Sequence, residues 1–430
     1  MDETIQIFAD DIKEDRYSRL RLIPWWDQDR LTKARIMVVG AGALGNELIK
    51  NLTLLGIGEI IICDMDTIED SNLTRSVLFR ADDVGRRKAE VAAERAMEIN
   101  PHVRAIPFVG NIIDDMGLGV YRRVDAVLGG LDNREARLTI NRACYNVNKP
   151  WIDGAIEALS GVARVFVPGQ GPCYECTMNE EDWKAYNRRR SCSLLSREEL
   201  AGGKIPTTPT SSSVIAGVQV QELLKLMHLD RIMPKETLSG AEPYDDDDIC
   251  VTETEQQFPV LIGRGFHFNG LTHDSYIVNY QEKPDCQSHE IFDSVTETPW
   301  SSSTLTFGAL LEEARKAMGE GTVIELDRDI AVAARCSCGA EKEMLTPMRR
   351  VTRDLAACPA CGSEMLITTT HLIMGKESFL DRTLREAGIP PLHIIRARNG
   401  LAERFIELTG DLKTSVIGEC YEPQNQAHAE

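Results

Sequence analysis

Between Lys33 and about Pro168 the chain alternates short apolar runs with stretches of helical period. The apolar runs are RIMVVG from Arg35, EIIICD from Glu59, VRAIPF from Val103 and DAVLGG from Asp125. Each reads as one β-type run. Leu44, Leu48, Leu52 and Leu55 recur at helical spacing between the first two runs. Strand and helix in this alternation predict an α/β fold with a doubly wound, Rossmann-like sheet.

Beyond it the pattern changes. From Gly171 to about Thr208 the chain is polar and reads as loop, and SSSVIAGVQVQELLKLM then reads as a buried helix. YDDDDIC around Asp245 reads as a solvated loop, and SVTETPWSSST near Pro299 as a linker. In the last third, Phe307, Leu310, Leu311, Ala314 and Met318 form one helix face. TVIEL and IAVAA read as two short strands, SFLDRTLREAG as a helix stopped by Gly388 and Pro390, and LHIIRA and RFIEL as further strands. This order predicts a small β-grasp module. The expected division is residues 1–170 for the nucleotide-binding half with an N-terminal arm, 171–210 for a zinc knuckle and catalytic-cysteine segment, 211–299 for the remainder of the first domain, 300–415 for the C-terminal module and 416–430 for a tail.

Bulk composition narrows the partners. The 430 residues carry a formal net charge of −19, which argues against nucleic acid or an anionic membrane and mildly favours basic partners. The acidic N-terminus has no signal-peptide profile, and no apolar run approaches a membrane span. Twelve cysteines, several in C-x-x-C pairs, read as metal ligands or catalytic thiols in a reducing cytosol, so a cytoplasmic location is expected.

The chemistry begins at VVGAGALGNELIKNLTLLGIGEIIICDMD, starting at Val38. Gly40 and Gly42 permit a tight turn and close approach to phosphate, Gly45 permits helix–strand packing, and Asp64 stands where a ribose would be gripped. A nicotinamide or flavin site begins the same way. The following residues favour a triphosphate: SNLTR supplies Asn72 and Arg75, GRRKAE supplies Lys88, and GGLDN ends the fourth apolar run with Asp132, a candidate Mg²⁺ ligand.

The stretch from Gly40 to Glu94, continued by GGLDNREARLTINRACYNVNKPWIDGAIEALSGVARVFVPGQGPCYECT, resembles the ThiF/MoeB-type adenylation domain of ubiquitin-activating enzymes. Within that family it is most similar to the catalytic subunit of the heterodimeric enzyme for the cullin-modifying ubiquitin-like protein. Bacterial activators of sulfur-carrier proteins share the domain. The resemblance covers roughly Arg16 to His289. It implies ATP on Gly40, Gly42, Gly45, Asp64, Asn72, Arg75 and Lys88, with Mg²⁺ on Asp132. Thr74 departs from the family's Asn and is left out of the site. DRYSRLRLIPWW resembles the segment before the domain in homodimeric bacterial members, which implies that Arg19 reaches the ATP of a second copy.

Cys192, in NRRRSCSLLSRE, follows three arginines that would lower a thiol's pKa. It matches the family's thioester-forming position, although Ser193 stands where Thr is usual. Cys173 and Cys176 have zinc-knuckle spacing, and the resemblance implies that EKPDCQSHE completes the site with Cys286 and His289. Cys336, Cys338, Cys358 and Cys361 have zinc-ribbon spacing with a shortened first knuckle. Ser301 to Leu412 resembles the family's ubiquitin-fold domain, which implies docking of a conjugating enzyme. The implied activity is ATP-dependent adenylation of a ubiquitin-like protein's C-terminus, thioester formation on Cys192 and transfer to that enzyme, in a form that fits a compact prokaryotic system. The alternatives are a sulfur-carrier adenylyltransferase without a thioester relay, a non-catalytic nucleotide-binding scaffold and an NAD-dependent oxidoreductase.

Overall fold

A computed structural model describes residues 14–131, 133–190, 206–232 and 260–418. Strands β1 (Arg35–Val39), β2 (Glu59–Cys63), β3 (Arg104–Phe108), β4 (Ala126–Gly129), β5 (Trp151–Glu157), β6 (Ser160–Phe166), β7 (Arg264–Asn269) and β8 (Asp274–Asn279) form one sheet. Their order is β3-β2-β1-β4-β5-β6-β7-β8, the first five parallel and the rest antiparallel. The order reverses between β1 and β4, where a doubly wound sheet opens a crevice at its carboxyl edge.

Alternation of side chains splits each parallel strand between two cores. Ile36, Val38, Ile60, Ile62, Leu128 and Ile152 share one cluster with residues of α2 (Ala43–Leu55), α3 (Lys88–Ile99) and α8 (Pro209–Met227). Met37, Val39, Ile61, Cys63, Val127 and Trp151 face the other way and pack with α4 (Leu118–Arg122) and α5 (Arg134–Asn146). Two-sided burial explains why the strand runs read as unbroken apolar segments. Helices α1 (Gln28–Lys33), α6 (Tyr174–Thr177) and α7 (Glu180–Arg190) also belong to this part. Helix ends follow local chemistry: Thr208 accepts the Ser211 amide at the start of α8 with Pro209 in its first turn, and Asn133 accepts the Ala136 amide at the start of α5.

A second sheet comprises β9 (Val295–Thr298), β10 (Val323–Arg335), β11 (Glu341–Pro347), β12 (Leu366–Ile373), β13 (Ile394–Asn399) and β14 (Ala402–Leu408). Its order is β11-β10-β13-β14-β9, with β12 also paired to β10. Strand β9 runs parallel to β14, and the other pairs are antiparallel. Helix α9 (Phe307–Met318) lays Phe307, Leu310, Leu311 and Ala314 against Ile324, Ile395 and Ile406.

Four local expectations change. The linker reading at residues 294–304 fails at its start, because Val295–Thr298 pairs with β14. TVIEL and IAVAA are one strand, β10, with register shifts between Glu325 and Ile330 and between Ala331 and Ala333. SFLDRTLREAG is a series of turns rather than a helix. The amides of Leu384 and Arg385 donate to Leu305 and Ser302, so the ladder a helix needs is spent on another segment. Part of the expected loop after Gly171 is helical, as α6 and α7. YDDDDIC lies outside the described residues.

The two sheets share a core. Leu392, Ile394, Phe405 and Ile417 from the C-terminal part belong to the cluster containing Met37, Ile61 and Val127. Glu407, fully buried, pairs with both Arg122 and Arg123 of the α4 region. The amide of Gly119 donates to the Leu392 carbonyl at 2.9 Å.

Candidate functional site

The site lies at the carboxyl ends of β1 and β2. Gly40 leaves β1 with φ of +93°, and a side chain there would bring Cβ within 2.5 Å of the Gly130 carbonyl oxygen at the end of β4. A Cβ on Gly45 would lie 1.7 Å from the Gly40 carbonyl oxygen. Turn, helix and β4 therefore interlock through bare backbone. Gly42 differs: it caps α2, and nothing lies within 4 Å of its would-be Cβ. That open side, at a helix start with unspent amides, is where a phosphate could approach.

Asp64 ends β2 and has two jobs within the fold. Its Oδ2 accepts the Ala41 amide at 2.7 Å and its Oδ1 the Asp66 amide at 2.8 Å. Burial pushes its carboxyl up from the usual value, while Lys88 and the two amides pull it down. Lys88 opens α3 and holds Asp66 at 3.0 Å. Asn72 is buried in a 3₁₀ turn, where its Oδ1 accepts the Glu69 amide at 2.9 Å. Arg75 donates to the Ser71 carbonyl, and among the described residues no carboxylate pairs with it. Thr74 turns its hydroxyl to the same carbonyl at 3.3 Å.

Asp132 and Cys192 lie outside the described residues. The flanks of the first are held by Arg137, which donates to the Leu131 and Gly154 carbonyls and to Asp153 at 2.9 Å. Asp153 is fully buried and also pairs with Arg164. Gln219, fully buried on α8, donates to the carbonyls of Gly129 and Ile152 at 2.9 and 3.0 Å, tying the ends of β4 and β5 together. The sequence reading passed over Arg137, Asp153, Gln219 and the buried Asn46. The available signal was a charged or amide residue inside an otherwise apolar pattern.

Arg19 stands apart from this chain's own cradle. It is exposed in the N-terminal arm, anchored nearby by Arg16 on the Ile99 carbonyl and by Tyr17 against Gly56. Gly56 caps the far end of α2, about 20 Å from the glycine turn at 1.5 Å per residue.

Two clusters have metal-ligand chemistry. Cys173, Cys176, Cys286 and His289 place their ligand atoms within 4.8 Å of one another, as do Cys336, Cys338, Cys358 and Cys361. In the first, Cys173 lies 3.5 Å from Cys286, and Cys176 lies 3.3 Å from His289 Nε2. Glu282 meets the other ring nitrogen of His289 at 3.2 Å, the outer partner that orients an imidazole ligand. In the second, the sulfurs of Cys336 and Cys361 are 3.5 Å apart, and those of Cys338 and Cys358 are 3.6 Å apart. Both donor sets fit tetrahedral zinc.

Residues 14–247, more than half of the chain, match the family model described as "ThiF family". The NEDD8-activating enzyme E1 catalytic subunit of Arabidopsis thaliana is 45% identical over 157 residues, 34% of each chain. The sulfur carrier protein adenylyltransferase of Thermus thermophilus is 37% identical over 170 residues, 38% of this chain and 63% of that one. The chain thus spans less than two thirds of the length of these relatives. Among solved structures, E. coli MccB with ATP aligns at a TM-score of 0.49 and 24% identity, covering 65% of this chain and 75% of that one. The family match runs through the glycine turn, Asp64, Arg75, Lys88 and the elements around them, and on it the chain belongs to the ThiF family.

Proposed function

We propose that this chain activates a ubiquitin-like protein by adenylating its C-terminal carboxylate with ATP. The observation that carries the reading is the open Gly42 side of an otherwise closed glycine turn, with Asp64, Lys88 and Arg75 on the elements around it. A ribose would meet Asp64, and the phosphates would meet the start of α2 with Arg75, Lys88 and Asn72. The carboxylate oxygen attacks the α-phosphorus, the bond to the bridging oxygen breaks and pyrophosphate leaves. Arg75 and Lys88 stabilise the charge that builds on the phosphates. A magnesium ion on Asp132 would add shielding of the same charge.

The thiolate of Cys192 then attacks the acyl carbon and AMP leaves, giving a thioester ready for a conjugating enzyme. The support is in the sequence: Arg188, Arg189 and Arg190 precede this cysteine, which lies outside the described residues. The C-terminal module is the proposed dock for that enzyme. A β-grasp reading of it rests on the parallel β9–β14 pair and on α9 packed across the mixed sheet. Zinc would hold the two cysteine clusters closed, and Arg19 would complete the ATP site of a second copy in a homodimer.

The likeness to a sulfur carrier protein adenylyltransferase supports a second reading, with the same adenylation and no thioester relay. Incubation with ATP, Mg²⁺ and a candidate ubiquitin-like protein separates them. The first reading expects a reductant-sensitive adduct that Cys192→Ala abolishes, and adenylation without that adduct favours the second. No pyrophosphate exchange with any ubiquitin-like or sulfur-carrier protein overturns both.

A further inference from the structure

We propose that Asn46 is a positioning residue that locks the glycine turn to the segment bearing Asn72 and Arg75, so that the two sides of the phosphate site move as one body. This rests on the ATP-binding reading above.

Asn46 is a carboxamide with 0% exposure inside α2. A buried amide is costly unless its groups are paired, and here both ends are. Nδ2 donates to the Ala41 carbonyl at 2.7 Å and to the Gly42 carbonyl at 3.1 Å. Oδ1 accepts the backbone amide of Leu78 at 2.9 Å. Leu78 follows Arg75 by three positions, and its side chain is buried in the core. On the opposite side of the same turn, Asp64 holds the Ala41 amide at 2.7 Å. Ala41 is therefore gripped at its N–H by one side chain and at its C=O by another.

Only a side chain with a donor and an acceptor on one rigid plane makes both contacts. A serine at position 46 would reach the Gly42 carbonyl four residues back, as helical hydroxyls do, but has no group to meet Leu78. A leucine would leave backbone groups buried and unpaired. The bridge matters most for the phosphates that Arg75 would grip, and least for the part of the nucleotide held by Asp64.

The test uses the full chain and calorimetric Kd values for ATP and for AMP. The proteins are wild type, Asn46→Ser, Arg75→Ala and the double variant. Asn46→Ser should weaken ATP about tenfold, a loss of one charge-assisted contact, and leave AMP within about twofold. In the double variant the serine should cost almost nothing beyond Arg75→Ala, because its effect passes through that arginine. Equal weakening of both nucleotides, or additive losses in the double variant, overturns the proposal. Should Asn46→Ser fail to fold, hydrogen exchange at the wild-type Leu78 amide decides: protection that rises with ATP supports the bridge, and unchanged exchange at saturation overturns it. ATP that does not bind the wild type, or that binds Arg75→Ala equally well, overturns the underlying nucleotide reading instead.

Discussion

The Asp64 carboxylate takes the Ala41 backbone amide at 2.7 Å, so the acid expected to grip a ribose also shapes the turn expected to hold phosphate. Loss of the acid should therefore be felt at both ends of a nucleotide. Asp64→Asn should weaken ATP about 10- to 100-fold, the loss of a charge-assisted hydrogen bond, by calorimetry. Because burial raises this carboxyl's pKa, it takes up its proton at a higher pH than an ordinary aspartate as acid is added. Since the ionised form is the acceptor, wild-type affinity should begin to fall at that higher pH, and the Asp64→Asn profile should be flat there.

The glycines should separate by mechanism. Gly42→Ala places a methyl in open space, so the protein should fold normally and bind ATP at least about tenfold more weakly. Gly45→Ala drives a methyl into the Gly40 carbonyl and should give little soluble protein. Expression yield, circular dichroism and ATP titration compare the two.

Arg137→Met removes one of two guanidinium partners of a fully buried carboxylate. Stripping a buried ion pair costs about 3–5 kcal/mol, which should appear as a clear drop in Tm. Arg137→Lys restores the charge without the fork, so it should recover part of the Tm and little of any adenylation, because the Leu131 carbonyl beside Asp132 loses its partner.

Metal analysis of the purified chain should find two zinc ions. Cys173→Ser and Cys338→Ser should each lose one, and the double variant both. A chain with one zinc, unchanged by Cys338→Ser, would dismiss the ribbon site.

Glu407→Ala removes the fully buried carboxylate that pairs with both Arg122 and Arg123, which Glu297 also meets. Stability should fall by about 3–5 kcal/mol, the cost of breaking a buried pair. Hydrogen exchange should rise in β13 and β14 and around α4. An unchanged exchange pattern would mean that the seam is held by its apolar contacts alone.

Strands β1, β2 and β4 were legible because they are buried on both faces and read as continuous apolar runs; β3 was legible although half-exposed, and β5 was not marked out. Strands β6 to β8 were not marked out, since Arg164, His267 and Tyr276 interrupt the apolar signal on a face that is only partly covered. Cys173, Cys176 and the four ribbon cysteines were legible by spacing, Cys286 and His289 only through the family resemblance, and the structure brings both sets together. Supporting residues were illegible for a physical reason. Asn46, Arg137 and Gln219 act on backbone groups distant in sequence, the Leu78 amide, the Gly154 carbonyl and the Gly129 carbonyl, and no local pattern encodes which groups will arrive. The turns at residues 378–388 misled because their helical periodicity is real, while their amides are claimed by Leu305 and Ser302.

Because Leu392, Phe405 and Ile417 fill the hollow beneath β1, β2 and β4, the last hundred or so residues act as a plug for the nucleotide half. Heating should then melt both sheets in a single calorimetric peak rather than two, and the N-terminal half expressed without its plug should expose Met37, Ile61 and Val127 to water and aggregate.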